Sequence, residues 1–376
     1  MAPPAQAEDG SGVKGELRAL TSARGIAAWL VVFFHIRRSI DGLPDVAMAV
    51  FQKGYLAVDF FFLLSGFVIW LSYSERLRAG GLAEVPAFLK RRIARIWPLH
   101  LFMLGFAMLM ALAMLATGRH SDAFPFAELP FHIALVQNWG LAYSLTWNDP
   151  AWSISCELAA YLLFPLLALA IDWRRVPSAA ILVAICALLL LLHTVFVERG
   201  LWQLGQEISR MGLIRCVLEF ACGTAICALW LRWRDHWQLP AVASAIVTLA
   251  MLVGWTTGML AETLVVPVGF AALLLALALS AGRRGNPLET APLHYLGEIS
   301  YATYLSHYLL WYAFKLAFVS DVHAVSWPLV ALYLTIVLAA SVALYHLVER
   351  PTQHWINALN LRPFRPLPPA PRSPHG

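Results

Sequence analysis

The sequence predicts an all-α, polytopic membrane protein with about ten transmembrane helices and both termini in the cytosol, and three observations carry that expectation. Hydrophobic residues fill 60% of the 376 positions and charged residues only 13%, with a mean hydropathy of +0.67. Apolar runs long enough to cross about 30 Å of hydrocarbon follow one another with short gaps, leaving no room for a separate globular unit. Lys and Arg are shared unevenly among the connections. With the N-terminus placed in the cytosol, 19 of the 27 fall on cytosolic segments and 8 on outer ones, the bias that orients membrane proteins. The net charge of +5 follows from that topology and does not imply nucleic acid as a partner.

Taken in order, residues 1–18 form a small, polar, Pro- and Gly-rich tail without the pattern of a removable signal peptide. Apolar runs follow at 20–38, 55–73, 96–116, 151–171, 176–197, 212–230, 239–257, 262–281, 295–315 and 325–347, so we expect one membrane domain over 19–350. Residues 351–376 read as a Pro/Arg-rich cytosolic tail. The longest outer connection, 117–150, contains Pro125, Pro130 and an amphipathic stretch from Phe131 to Tyr143. Two readings stand for it: a lid lying on the membrane surface, or a plain connector. Cys156, Cys186, Cys216, Cys222 and Cys227 all fall in apolar runs with no Cys-x-x-Cys pair, which points to packing and not to zinc or a disulfide framework. No fixed-period repeat or half-to-half echo is visible, which disfavours an inverted-repeat transporter.

Polar side chains inside the runs are the candidates for chemistry, because ionisable groups in hydrocarbon cost roughly 2.5 kcal/mol or more and normally face a protein interior or a wet cavity. Arg24 and His35 are eleven residues apart in the first run, a rotation of about 1,100° and a rise of roughly 16 Å, so they share one helix face. Asp59 in the second run, Ser153 and Glu157 in the fourth, and Tyr304 and His307 in the ninth lie at related depths counted from the outer ends. Just before the third run, Lys90-Arg91-Arg92-Ile-Ala-Arg95 places four cations in six residues, with Arg92 and Arg95 on one face in a fork that suits phosphate. Plainer roles stand beside each: Asp59 pairing with a cation to tie helices, the serines as packing residues, Arg24 snorkelling to the surface, and the basic cluster holding lipid headgroups.

In order along the chain, these elements resemble the acyltransferase-3 family of integral-membrane acyltransferases, from about residue 17 to 351. Arg24-Gly-Ile-Ala-Ala with His35 is similar to that family's opening signature, and Gly54-Tyr-Leu-Ala-Val-Asp59 through Ser65-Gly66-Phe67 to its second helix. Arg92-Ile-Ala-Arg95-Ile-Trp97-Pro98, Trp152-Ser-Ile-Ser-Cys-Glu157 with Tyr161-Leu-Leu-Phe-Pro165, Leu296-Gly-Glu-Ile-Ser300-Tyr301 and Glu349-Arg350-Pro351 resemble the later motifs. The resemblance implies an O-acyltransferase of the bacterial cytoplasmic membrane that takes an acyl-CoA co-substrate, usually acetyl-CoA, and modifies a hydroxyl of a surface polysaccharide, glycolipid or macrolide. Arg24, Arg92 and Arg95 are then expected to hold the anionic end of CoA, and His35 to act as general base oriented by Glu157 or Asp59. Trp152, Ser153, Tyr304 and His307 are expected to bind substrate. No permanently bound cofactor and no metal is expected. A different class of function fits the same residues: a proton-coupled transporter of a sugar or lipid with His35, Asp59, Glu157 and His307 as its relay.

Overall fold

A computed structural model describes residues 17–119, 121–141, 144–283 and 285–359. Residues 1–16 and 360–376 of the two expected tails lie outside the described residues, as does Tyr143 of the amphipathic stretch. Among the described residues the regular structure is helical, apart from one isolated bridge between Ile40 and Val325. Each apolar run of the sequence has a long helix along most of its length: α1 Arg18–Ile36, α2 Ala57–Gly80, α3 Val85–Ala116, α4 Ala151–Ala170, α5 Ser178–Val197, α6 Ile208–Trp233, α7 Gln238–Thr256, α8 Glu262–Ser280, α9 Ser300–Phe318 and α10 Trp327–Leu344. By length and composition, eight helical stretches among the described residues are able to cross a membrane; one of them, Asp45–Ala116, contains both α2 and α3. Helix α9 falls outside the eight and carries Ser300, Thr303, Ser306, His307 and Lys315. The chain is an all-α, multi-pass membrane protein.

Two close helix crossings set the geometry of the interior. A Cβ on Gly66 of α2 would lie 1.9 Å from the carbonyl oxygen of Phe220, and one on Gly223 of α6 would lie 2.0 Å from that of Leu63. Only glycine lets the two backbones touch, the small-residue contact by which helices associate in lipid. The same device joins α1 to the short helix Ala291–Glu298: a Cβ on Gly25 would lie 2.7 Å from the Gly297 nitrogen, and one on Gly297 would lie 1.9 Å from the Thr21 oxygen. This second crossing brings Arg24 against the end of the short helix.

Helix α3 has 32 residues, about 48 Å of rise against about 30 Å of hydrocarbon, so its basic first half reaches beyond the apolar slab. Pro98 sits inside it, where the missing N–H leaves the ladder one bond short. Helix α10 passes into a π-helical turn, Tyr345–Glu349, and then a further helix, Arg350–Ala358. The boundary expected at 350 therefore falls within continuous helical structure, and Lys90 of α3 donates to the Asn357 carbonyl at 2.9 Å.

The connection between α3 and α4 buries part of its length against the helices. His132, Leu135, Gln137, Asn138, Trp147 and Asn148 are buried, and the His100 ring bonds the His132 carbonyl at 2.8 Å. The residues this stretch buries include His132, Gln137 and Asn138, while Ile133 and Leu141 are exposed. All five cysteines are free; Cys186 is exposed on α5 and the other four are buried, in keeping with packing roles.

Candidate active site

Two cavities lie near opposite ends of α1. The first, about 150 Å³, is lined by Arg24, Arg92, Arg95, Ser65, Glu157 and Tyr161 among others. The three arginines singled out in the sequence thus come together, Arg24 from α1 and Arg92 and Arg95 from α3. Each is held by a neighbour. Arg24 donates from Nη2 to the Gly297 carbonyl at 2.7 Å and from Nε to Ser300 Oγ at 2.9 Å; a cation at the C-terminal end of a helix is favourably placed against its dipole. Arg92 donates to the Tyr73 hydroxyl at 2.9 Å and lies 5.0 Å from that ring's centroid. Arg95 forms an ion pair with Glu349, which the π-helical turn delivers to it, and lies 5.3 Å from the Tyr301 ring centroid.

Glu157 belongs to this first cavity. Its carboxylate accepts from the Ser65 hydroxyl and from the Tyr161 hydroxyl, the latter at 2.5 Å. Counting Glu157 and Glu349 against the three arginines leaves an excess of positive charge. A guanidinium offers five N–H donors, so one or two fixed partners leave others for a ligand; the buried Nε of Arg92 has none.

The second cavity, about 470 Å³, is lined by His35, Arg37, Arg38, Lys53, Asp149, Trp152 and Arg215 among others. Here the ring nitrogens of His35 can be assigned from their partners. Nδ1 of His307 lies 3.1 Å from the Thr303 carbonyl, which only accepts, so that nitrogen carries the proton and Nε2 of the neutral ring is an acceptor. That Nε2 is 3.1 Å from Nδ1 of His35, which is also 2.9 Å from the Val31 carbonyl. Two acceptors meet at one nitrogen, so Nδ1 of His35 carries the proton and donates to both. The lone pair of neutral His35 is then on Nε2, which has no hydrogen bond among the described residues. His307 is itself fixed, buried between His35 and α10, where the Tyr333 hydroxyl donates to its carbonyl at 2.9 Å.

Tyr304 lines both cavities. Its hydroxyl is 2.8 Å from Ser153 Oγ, and Ser153 donates its own proton to the Pro150 carbonyl at 3.1 Å, so Tyr304 donates to Ser153. Ser153 lines the first cavity and Trp152 the second. The bridge between α9 and α4 is therefore part of the wall that separates them.

Neither carboxylate expected to orient His35 does so in this geometry. Glu157 faces the arginines, as described. Asp59 is fully buried with both oxygens on Arg215 of α6, at 2.5 Å to Nε and 2.5 Å to Nη2, and Arg215 also donates to the Leu204 carbonyl at 3.0 Å. The glycine crossing of α2 and α6 makes this pairing possible, and the plainer expectation for Asp59, a tie between helices, is the one found. Glu219, one turn along α6, is buried against Asp59. Equal counts from helix ends did not place these side chains on one level, because a count measures depth along each helix's own axis, and helices differ in tilt and start. His307, expected to bind substrate, touches His35.

Sequence reasoning passed over Arg215, counted only as an outer-loop charge, and Asp149, which precedes α4. Burial pushes the Asp149 carboxyl up to about 6. Among the described residues no group of three or more His, Cys, Asp or Glu side chains is arranged to hold a metal ion.

Comparison with known proteins gives two kinds of match. A family model described as an acyltransferase domain, Acyl_transf_3, matches residues 17–346. The chain is 32% identical over 321 residues to a protein named acyltransferase MdmB from Streptomyces mycarofaciens, covering 78% of this chain and 79% of that one. It is also 31% identical over 152 residues to protein 2 in the picA locus of Rhizobium radiobacter, covering 37% of this chain and 75% of that one. No solved structure matches the chain.

Proposed function

The chain belongs to the family of acyltransferases whose model covers residues 17–346 and is itself an acyltransferase, and from that premise we propose that it moves an acyl group from cytosolic acyl-CoA, acetyl-CoA above all, to a hydroxyl of a cell-surface or lipid-linked glycan, with His35 as general base. The observation that carries this reading is the hydrogen-bonding of His35: its Nδ1–H is held by Val31 and His307, leaving the Nε2 lone pair toward the larger cavity. A neutral imidazole in a fixed tautomer is what proton abstraction requires, worth roughly 10² to 10⁴ in rate.

In the proposed reaction the acceptor hydroxyl gives its proton to Nε2 as its oxygen attacks the thioester carbonyl carbon. The C–O bond forms, the C–S bond breaks, and the imidazolium returns the proton to the departing sulfur, so the products are an ester and free CoA thiol. Arg24, Arg92 and Arg95 hold the phosphates of CoA in the first cavity, a role supported by their convergence there and by the spare donors of Arg92. Tyr304 and Ser153 lie on the path of the acyl arm toward His35, and the arm displaces their bridge. We place the protein in the bacterial cytoplasmic membrane with the arginine cavity on the cytosolic side, as the distribution of Lys and Arg supports.

Release of free CoA thiol by the purified protein with acetyl-CoA and acceptor tests the reading. His35→Ala should lower the maximal rate roughly 10²- to 10⁴-fold. Turnover close to that of the unmodified chain would remove His35 from the role of base.

A further inference from the structure

Residues 145–150 enter α4 through a conformation that side chains rarely adopt. Trp147 has φ of 61°, in the left-handed region, yet it is a bulky residue and 1% exposed. Departures of this kind persist where surrounding contacts over-determine them, and they gather at functional sites. The contacts are present. The Trp147 backbone N–H donates to the Ala123 carbonyl at 2.8 Å, its indole N–H donates to the Pro125 carbonyl at 3.0 Å, and the Asn148 amide donates to the Leu305 carbonyl of α9 at 2.8 Å, two residues from His307.

The residue that this pinned loop presents is Asp149, which lines the His35 cavity. Its carboxylate has no hydrogen bond and no ion pair among the described residues. The nearby cations do not supply a partner: Arg215 is taken up by Asp59 and Lys53 by Glu262. A half-buried carboxylate without a partner in the chain, facing a cavity, has acceptor capacity to offer a group from outside the chain. A lone carboxylate does not make a metal site. An ammonium ligand is disfavoured because Arg37, Arg38, Lys53 and Arg215 line the same cavity. A neutral donor remains, and the acceptor already brings one hydroxyl to His35.

We propose that Asp149 accepts a hydrogen bond from a second hydroxyl of the acceptor, so that the substrate is a polyol of the sugar kind and not a simple alcohol. Asp149 is then a specificity-determining residue: it fixes which hydroxyl lies at Nε2 of His35. This assignment rests on the acyl-transfer reading, and its test separates the two. The full-length chain in lipid nanodiscs is assayed for CoA thiol release with methyl glycosides of glucose, galactose and rhamnose and with each single-deoxy counterpart. For the unmodified chain, removing one particular hydroxyl should lower acceptor kcat/KM about 10- to 100-fold, the scale of a charge-assisted hydrogen bond. Asp149→Ala should lose a similar factor on the intact sugar and lose no more than about 2-fold further on the deoxy sugar. Asp149→Asn, which keeps an acceptor oxygen, should recover part of the loss, and thermal unfolding of both variants reports folding. Equal discrimination by the unmodified chain and Asp149→Ala, or none by either, overturns the proposal. Where no glycoside supports thiol release, tryptophan-fluorescence titration of the same sugars decides: saturable binding weakened in Asp149→Ala upholds the proposal while the transfer reading fails, and absence of saturable binding overturns both.

Discussion

The two cavities at the ends of α1 differ in how their charged groups are partnered. In the arginine cavity each guanidinium is already tied to something: Arg24 to a helix end, Arg92 to Tyr73, Arg95 to Glu349. In the His35 cavity Nε2 of His35 and the carboxylate of Asp149 have no partner among the described residues. The difference teaches a division of labour. Pre-oriented cations with donors to spare suit a ligand part that is bound alike before and during reaction. The unpaired Nε2 suits a group whose hydrogen bond changes as the reaction proceeds, and the unpaired carboxylate suits a hydroxyl held in place.

The largest effect that would break this comparison belongs to His35. Beyond the loss of maximal rate, calorimetric titration should find CoA affinity unchanged in His35→Ala; a large fall in affinity would merge the two cavities into one functional unit. Next in size is the buried pair beside the second cavity. Asp59→Ala strands Arg215, and removal of one partner from a buried ion pair typically costs about 3–5 kcal/mol, so thermal unfolding in detergent should show a marked drop. Asp59→Ala combined with Arg215→Met should recover much of it, whereas a double variant no better than the single one would contradict the pairing.

A smaller loss is expected from His307. His307→Ala frees the His35 ring to turn, and misplacement of a reacting group costs up to about 10²-fold in rate. His307→Gln offers an amide oxygen to the Nδ1–H and should restore part of it, measured by thiol release at saturating acetyl-CoA. Equal damage from both substitutions would reduce His307 to a packing residue. The smallest change in maximal rate concerns the arginines. Arg92→Ala and Arg95→Ala should weaken CoA by about 1.5–3 kcal/mol each, with most of the rate regained at higher acetyl-CoA, the pattern of an interaction made equally in ground and transition states. Unchanged CoA affinity in both would return the cluster to lipid headgroups.

Much of this architecture was legible because lipid imposes a strict code: long apolar runs give the helices, and the rare polar residues within them give candidates. Arg24 and His35 emerged that way, Arg92 and Arg95 from the basic cluster ahead of the third run, and all four line cavities. What the residue order did not disclose is which helix faces meet. Asp59 and Arg215 are 156 residues apart, and their contact depends on two glycines whose meaning appears only once α2 and α6 touch. The association of His35 with His307 is likewise a matter of α1 packing beside α9. Asp149 escaped notice for a different reason: its role rests on a left-handed backbone at Trp147, and no side-chain pattern announces a strained tryptophan.

The wall formed by Tyr304 and Ser153 has an electrical consequence. If both recesses hold water, the membrane's insulating layer shrinks locally to the thickness of that wall, and the transmembrane voltage falls mainly across it. An elementary charge carried through 100 mV gains or loses about 2.3 kcal/mol. In the proposed reaction, a CoA molecule anchored by its phosphates at Arg24, Arg92 and Arg95 would keep its charges on one side of this drop, and only its uncharged arm would reach across. On that proposal the donor would deliver an acyl group through the steepest part of the field without electrical work, its arm filling the gap left by the displaced bridge.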